Sequence, residues 1–374
     1  MHLFWLIFLP PLAYQILAIF ASGQHAAKRR ANSKSPREGA FQPAVSVLKP
    51  LCGLDPNTHD AFVSQIQQDY SEFEILFGVS DSSDPAADEV RRLQREFPDS
   101  SIRLIAGATP ARNGKVGVLI ELSKHARNPV WVVNDSDIRV DSNYLREIIA
   151  PLADPEAGLV TCPYRAEAHT LAAGWEALGI ATEFMPSTFV APLLGVREFG
   201  LGSTLVFRAD DLKRAGGFAA IADYLADDYQ LAKRITALGK RAVLSTYTVE
   251  TSLGDSTWAG VWWHQIRWAR TIRVSKGKAY AGLPIAQTGL WILLGLITGA
   301  YVPALLLILL RWTTAILAGA LVLRSYIVAR FFWLAPVWDL YSFAIWMASY
   351  AGRGVRWRGR RLFIDRTGRI QPSV

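Results

Sequence analysis

Cysteine is nearly missing from this chain. Of 374 residues only Cys52 and Cys162 carry thiols. That is too few for a disulfide framework or a cysteine-rich zinc centre, and it fits a reducing, cytosol-facing setting. Charge is scarce too: Asp, Glu, Lys and Arg make up 19%, below the roughly 25% of soluble domains. No basic helix, zinc-finger spacing or RNA-binding signature accompanies the net charge of +8. This excludes the usual nucleic-acid readers and leaves phosphates or anionic lipid as the counterpart of that charge. No internal repeat is visible. No charged side chain precedes the first apolar run, which argues against a cleaved leader.

What the chain has instead is apolar and aromatic surface, including thirteen tryptophans, a residue that favours membrane interfaces. Residues 1–22 are apolar, and Lys28, Arg29 and Arg30 follow at once. This order predicts a transmembrane signal anchor with the following chain on the cytosolic side. Residues 23–43, with Pro36, Gly39 and Pro43, predict a linker. Residues 283–323 hold a single charge, Arg311, and give room for two crossings of roughly 20 residues each. A third apolar stretch at 331–350 is broken by Asp339, and a basic tail fills 351–374. Three crossings would put that tail opposite the cytosolic domain, where basic residues are disfavoured. One stretch within 281–350 is therefore expected to be re-entrant or interfacial.

Between the two apolar ends, short apolar runs alternate with helical patterns. Strands are predicted at 45–48, 73–79, 102–105, 130–133, 158–161 and 242–244, and helices near 57–68, 86–97, 115–126, 142–152 and 226–238. Such alternation implies an α/β domain built on a mainly parallel sheet covered on both faces. Ligands of such sheets sit beyond the carboxyl ends of the strands.

The polar motifs fall at those ends. Asn134-Asp-Ser-Asp137 directly follows the run Val130–Val133. Two carboxylates on one turn, Asp135 and Asp137, suit a hard cation such as Mg²⁺ or Mn²⁺ with substrate phosphates completing its shell. The plainer reading is a solvated turn. Asp81 and Asp84 flank a turn after Phe73–Val79. They suit a ribose or base edge, or else Asp84 caps a helix that begins with Pro85. Lys115, after Arg112-Asn113-Gly114, sits at a helix start where anions bind. Asp227 and Asp228 open another helix, where one carboxylate can cap and the other can serve as a base. In Trp262-Trp-His-Gln-Ile-Arg-Trp-Ala-Arg270 an arginine fork suits phosphate oxygens, although an amphipathic interfacial helix would look similar.

Taken in order, these motifs resemble membrane-bound inverting glycosyltransferases of the GT-A fold, in the broad family 2 and family 21 group. Bacterial ceramide glucosyltransferases and hopanoid-pathway glycosyltransferases are the nearest in pattern. The likeness spans residues 44–280 and is carried by Leu48-Lys-Pro-Leu-Cys-Gly-Leu-Asp55, Asp81–Pro85, Asp135–Val140, Tyr224–Tyr229 and Arg267–Arg273. It implies a Rossmann-like GT-A domain with membrane helices at both ends, set on the cytosolic face of a bacterial inner membrane. It implies that Asp84, with Asp81 nearby, contacts the nucleotide. Asp135 and Asp137 would hold the metal and diphosphate, Asp228 would be the general base, and Arg267 and Trp268 would close over the diphosphate. Two positions depart from the family pattern. His264 stands where Gln or Arg is usual, and Asn113-Gly-Lys115 replaces Asn-Pro-Lys.

The expected reaction takes glucose or N-acetylglucosamine from a UDP-sugar to the hydroxyl of ceramide, a hopanoid-type polyol or another lipid. Two alternatives are a processive polysaccharide synthase, which would need a transmembrane tunnel, and an inactive nucleotide-binding scaffold. The apolar residues Leu178–Met185 and Val190–Leu194, behind Trp175, are expected either to line a lipid groove or to form ordinary core.

Overall fold

The computed structural model describes residues 2–34, 41–55, 57–357 and 360–371. Its centre is a seven-stranded sheet in the order β3-β2-β1-β4-β7-β5-β8. The strands are β1 (Val45–Pro50), β2 (Phe73–Val79), β3 (Ile102–Ala106), β4 (Val130–Val133), β5 (Ala157–Thr161), β7 (Leu205–Arg208) and β8 (Arg241–Leu244). All run parallel except β7, which is antiparallel to both neighbours. Every residue of β1 and β5 is buried, as expected when helices cover both faces of a parallel sheet.

The chain winds from β1 outward to β2 and β3, then returns to place β4 on the other side of β1. That reversal opens a crevice at the carboxyl ends of β1 and β4. The expected strands are all present. The antiparallel β7 was not foreseen, nor was a small parallel pair, β6 (Tyr164–Glu167) with β9 (Val249–Ser252). Both shape the crevice. Leu205 of β7 is registered with Val133 of β4 and Thr161 of β5, so the turn before β7 lies at the carboxyl edge of both.

Among the described residues, five helical stretches are long and apolar enough to cross a membrane: Trp5–Asn32, Leu171–Leu194, Trp258–Ile297 (a succession of shorter helices), Tyr301–Val322 and Tyr326–Ser349. The first helix does not stop near residue 22. Its α-helical part runs from Leu9 to Lys34, through much of the stretch expected to be a linker; residues 35–40 of that stretch lie outside the described residues. The apolar run at 283–323 divides unevenly into a ten-residue helix, Thr288–Ile297, and a longer one from Tyr301. At ~1.5 Å per residue ten residues reach only about half of a ~30 Å bilayer core.

The helices are joined by polar contacts. In Leu171–Leu194 a π-turn at Ile180–Phe184 precedes Pro186. Proline has no N–H to give Thr182 O four residues back, and Arg311 Nη1 donates to that carbonyl instead at 2.8 Å. Arg311 also makes a two-pronged pair with Asp339 at 2.8 and 2.6 Å. Both charges that interrupt the apolar runs are thereby buried against each other. A Cβ at Gly179 would lie 1.9 Å from the Trp338 indole, so only glycine lets these two helices approach.

The basic tail is folded. Strands Gly354–Trp357, Arg360–Ile364 and Ile370–Gln371 form a three-stranded antiparallel sheet. It is bound to the α/β domain. Ile370 N donates to Asp223 O (2.8 Å), Leu225 N to Gly368 O (3.2 Å) and Arg112 Nη1 to Ile370 O (2.7 Å). Val355, Ile364 and Ile370 bury Leu225 between them.

Candidate active site

Strand ends bring the expected residues to the crevice. At the end of β1, Lys49 is fully buried. Its ammonium donates to Asn134 Oδ1 (3.0 Å) and to the backbone carbonyl of Asp135 (2.8 Å). Burial pushes its pKa down to about 7, against the pull of Asp137 and Asp135. This lysine ties the end of β1 to the loop after β4 and so fixes where Asp135 and Asp137 stand.

Asp135 Oδ1 accepts from Lys115 Nζ at 2.8 Å, and Lys115 lies 3.1 Å from Asp227 Oδ2. Lys115 occupies the first turn of helix Gly114–Ser123. Asn113 caps that helix and donates from Nδ2 to Tyr224 O at 2.8 Å. Asn113 thereby couples the lysine's helix to the segment that leads into Asp227. The carboxylates hold the Lys115 pKa well above the ordinary lysine value, although burial opposes this.

Asp227 and Asp228 open helix Asp227–Thr236, but the residue at the N-cap is Ala226, which has no side-chain cap. Neither aspartate is therefore the cap anticipated from the sequence. Asp227 faces Lys115. Asp228 accepts from Gly202 N (3.1 Å) and from Tyr229 N (2.7 Å). Burial and the neighbouring Asp227 raise its pKa to about 6, with Lys115 pulling the other way. The Gly202 contact depends on the turn before β7. A Cβ on Gly202 would meet Asp135 Oδ2 at 2.9 Å, so glycine there allows both carboxylates to converge.

Asp137 is held differently from Asp135. Thr251 Oγ1 on β9 donates to its Oδ2, and burial plus the charge of Asp135 raise its pKa. Among the described residues no group of three or more His, Cys, Asp or Glu is assembled as a metal site. Two hard carboxylates, Asp135 and Asp137, nonetheless fit Mg²⁺ or Mn²⁺ when phosphates supply further ligands.

Asp84 caps helix Pro85–Glu96 through Ala86 N (2.9 Å) and also accepts from Gly53 N at 3.0 and 3.1 Å. It therefore joins the loops after β1 and β2 at the crevice rim. Asp81 stays in its own turn, accepting from Ser83 N and Ser83 Oγ at 2.8 and 2.7 Å. These bonds lower its pKa.

Helix Trp258–Lys276 supplies the opposite wall. The Arg267 guanidinium makes no hydrogen bond or ion pair among the described residues, and the charges acting on it are Asp135, Glu176, Asp228 and Asp227. Trp268 packs between Phe184 and His264, at ring separations of 5.1 and 4.8 Å. His264 Nδ1 and Gln265 Nε2 both contact Glu176 Oε1, at 2.6 and 2.7 Å. Nothing in the sequence singled out Glu176, because its partners lie almost ninety positions away.

The stretch Leu178–Met185 proves to be packing rather than an open groove. Leu178, Ile180, Ala181 and Met185 are all buried, whereas Leu171, Leu193 and Leu194 are exposed.

A Rossmann-like sheet with carboxylates at its switch point, walled by an Arg-Trp helix, defines a glycosyltransferase of the GT-A fold. The chain belongs to glycosyl transferase family 21, which matches residues 3–370. It is similar to ceramide glucosyltransferase 1 of Caenorhabditis elegans, 28% identical over 55% of this chain and 44% of that one. Ceramide glucosyltransferase 3 of the same organism is 25% identical over 56% and 46%. The matches thus span less than half the length of these curated relatives. Among solved structures, the mannosyltransferase PcManGT from Pyrobaculum calidifontis in complex with GDP-Man and Mn²⁺ shares the fold. It has a TM-score of 0.53 and 19% identity, over 90% of this chain and 99% of that one.

Proposed function

We propose that this glycosyltransferase moves glucose or N-acetylglucosamine from a UDP-sugar to the hydroxyl of a membrane lipid, a ceramide or hopanoid-type acceptor, with inversion. The observation that carries this reading is the convergence of Asp228, Lys115 and Asp135 at the β1/β4 crevice, opposite Arg267, whose guanidinium has no hydrogen-bond or ion-pair partner among the described residues. Resemblance to the ceramide glucosyltransferases supports the lipid acceptor, as do the apolar helices beside the crevice. We place the protein at a bacterial inner membrane with the domain facing the cytosol, a reading that rests on Lys28, Arg29 and Arg30 directly after the first apolar run.

In this reading Asp228 takes the proton of the acceptor hydroxyl as its oxygen attacks the anomeric carbon. A pKa raised to about 6 leaves it ionised at neutral pH yet more basic than an ordinary carboxylate, which suits a general base. The bonds from Gly202 and Tyr229 fix its direction. The sugar–phosphate bond breaks on the opposite face and its electron pair leaves with UDP. Arg267 and Trp268 close over the diphosphate, and Arg267 answers the charge that grows there. Lys115 is placed to do the same from the other side. A divalent cation held by Asp135 and Asp137 would supply further neutralisation of the leaving group. Asp84 and Asp81 stand at the rim as nucleotide contacts.

The test is Asp228→Asn, which keeps the size of the side chain. Transfer should fall at least about a hundredfold, the usual cost of losing a general base, with UDP affinity little changed. Asp227→Asn should act differently, weakening nucleotide binding by releasing Lys115. Near-normal turnover in Asp228→Asn would overturn the assignment.

A further inference from the structure

A second site lies away from the crevice, where three elements meet. These are the last turns of helix Trp258–Lys276, the residues just after helix Ala335–Ser349, and the turn between the last two strands of the C-terminal sheet. They enclose a cleft of about 360 Å³ bordered by Arg273, Gly277, Tyr350, Arg353, Asp365 and Arg366. Its charge is strongly one-sided. Arg273 donates to Gly352 O at 3.1 Å and lies 5.1 Å from the centre of the Tyr350 ring. Neither it, Arg353 nor Arg366 forms an ion pair among the described residues. The one carboxylate, Asp365, is turned into its own loop. It accepts from Thr367 N and Oγ1 (2.8 and 2.7 Å), Arg369 N (3.0 Å) and Gln371 Nε2 (2.8 Å). Behind the cleft Arg270, only 8% exposed, adds another positive charge and binds the carbonyls of Ala351 and Gly354.

Several guanidinium groups held together without counter-charge repel one another, and an oxyanion relieves that repulsion. Phosphate is the anion that best matches the arginine fork. The position narrows the source. The cleft begins at the residue after Ser349, where the apolar segment Tyr326–Ser349 ends. In a membrane-bound protein that is headgroup depth, where arginines meet anionic lipid.

We propose that this cleft binds the phosphate headgroup of an anionic membrane lipid. The inference rests on the membrane placement of the apolar helices and not on the donor or acceptor of the transfer reaction. It also links the lipid surface to the reaction centre. The turn that supplies Arg366 holds Leu225 through Gly368 O, two residues ahead of Asp227.

The experiment uses the full-length protein in an uncharged detergent, titrated with dihexanoyl-phosphatidylglycerol, dihexanoyl-phosphatidylcholine or inorganic phosphate and followed by thermophoresis. Phosphatidylglycerol should bind saturably, and Arg353→Gln/Arg366→Gln should weaken it at least about tenfold, as expected for losing two charge-assisted contacts. Both arginines are exposed, so the fold should survive. Should the double variant melt early, Arg366→Gln alone carries the comparison. Inorganic phosphate should compete only weakly. Equal binding by the variant, or equal binding of phosphatidylcholine, would overturn the site. Phosphate binding as tightly as phosphatidylglycerol would overturn the lipid as its ligand.

Discussion

Asp228 shows how a residue's chemistry depends on neighbours that the sequence keeps far apart. Gly202 lies 26 positions before it and Lys115 more than a hundred. Burial and Asp227 raise its pKa to about 6, and Lys115 restrains that rise. The sign of the pH dependence follows. A base works when ionised, so transfer should climb as pH rises through about 6 and level off above it. Lys115→Met removes a charge that lowers the pKa, so the limb should move to higher pH. An acid limb near pH 4 in the unaltered enzyme would contradict this environment. For Asp135 and Asp137 the prediction concerns metal. EDTA should abolish transfer, and Mg²⁺ or Mn²⁺ should restore it; full activity in chelator would exclude the metal role. These aspartates were legible because each follows an apolar strand. Lys49 was visible as part of a motif, but its burial and its hold on the Asp135 loop were not. Glu176 carried no signal, since a carboxylate in an apolar helix acquires its meaning only from His264 and Gln265.

Among elements, the parallel strands were legible because runs such as Val130–Val133 are continuous and apolar, the mark of a strand buried on both faces. The antiparallel β7 has the same composition, and nothing local distinguishes its direction. Its direction matters, since it brings Gly202 to Asp228. The helix Leu171–Leu194 was legible only as apolar. Its π-turn and Pro186 leave Thr182 O for Arg311, and that guanidinium is held in turn by Asp339. A buried pair of this kind responds unevenly to substitution. Arg311→Met alone strands Asp339 and should cost about 3–5 kcal/mol. Arg311→Met with Asp339→Leu should recover most of that loss, read as thermal melting in detergent. Equal destabilisation by the single and double variants would show that the pair contributes little through its charge.

At the scale of the whole molecule, the C-terminal sheet decides the path of the chain. Its bonds to Arg112, Asp223 and Leu225 put it on the same side as the catalytic domain. In a membrane, the apolar segments between residues 280 and 354 would then make an even number of crossings. Three apolar stretches between a cytosolic domain and a basic tail led, in the sequence, to the expectation that one of them is re-entrant or interfacial. Helix Thr288–Ile297 is too short to cross by itself, and Tyr326 Oη donates to Ala168 O at 3.0 Å. Apolar helix Leu171–Leu194 is bonded to the Arg-Trp helix through Glu176, and the central claim is that the nucleotide-bound sugar ends on a lipid. The direct measurement incubates the purified full-length protein with radiolabelled UDP-glucose and UDP-N-acetylglucosamine, together with ceramide or a hopanoid polyol, and separates the products by thin-layer chromatography. The account predicts a mobile labelled β-glycolipid from one of the donors, lost in Asp228→Asn. Label that stays at the origin as polymer, or no labelled product from any pairing, would contradict it.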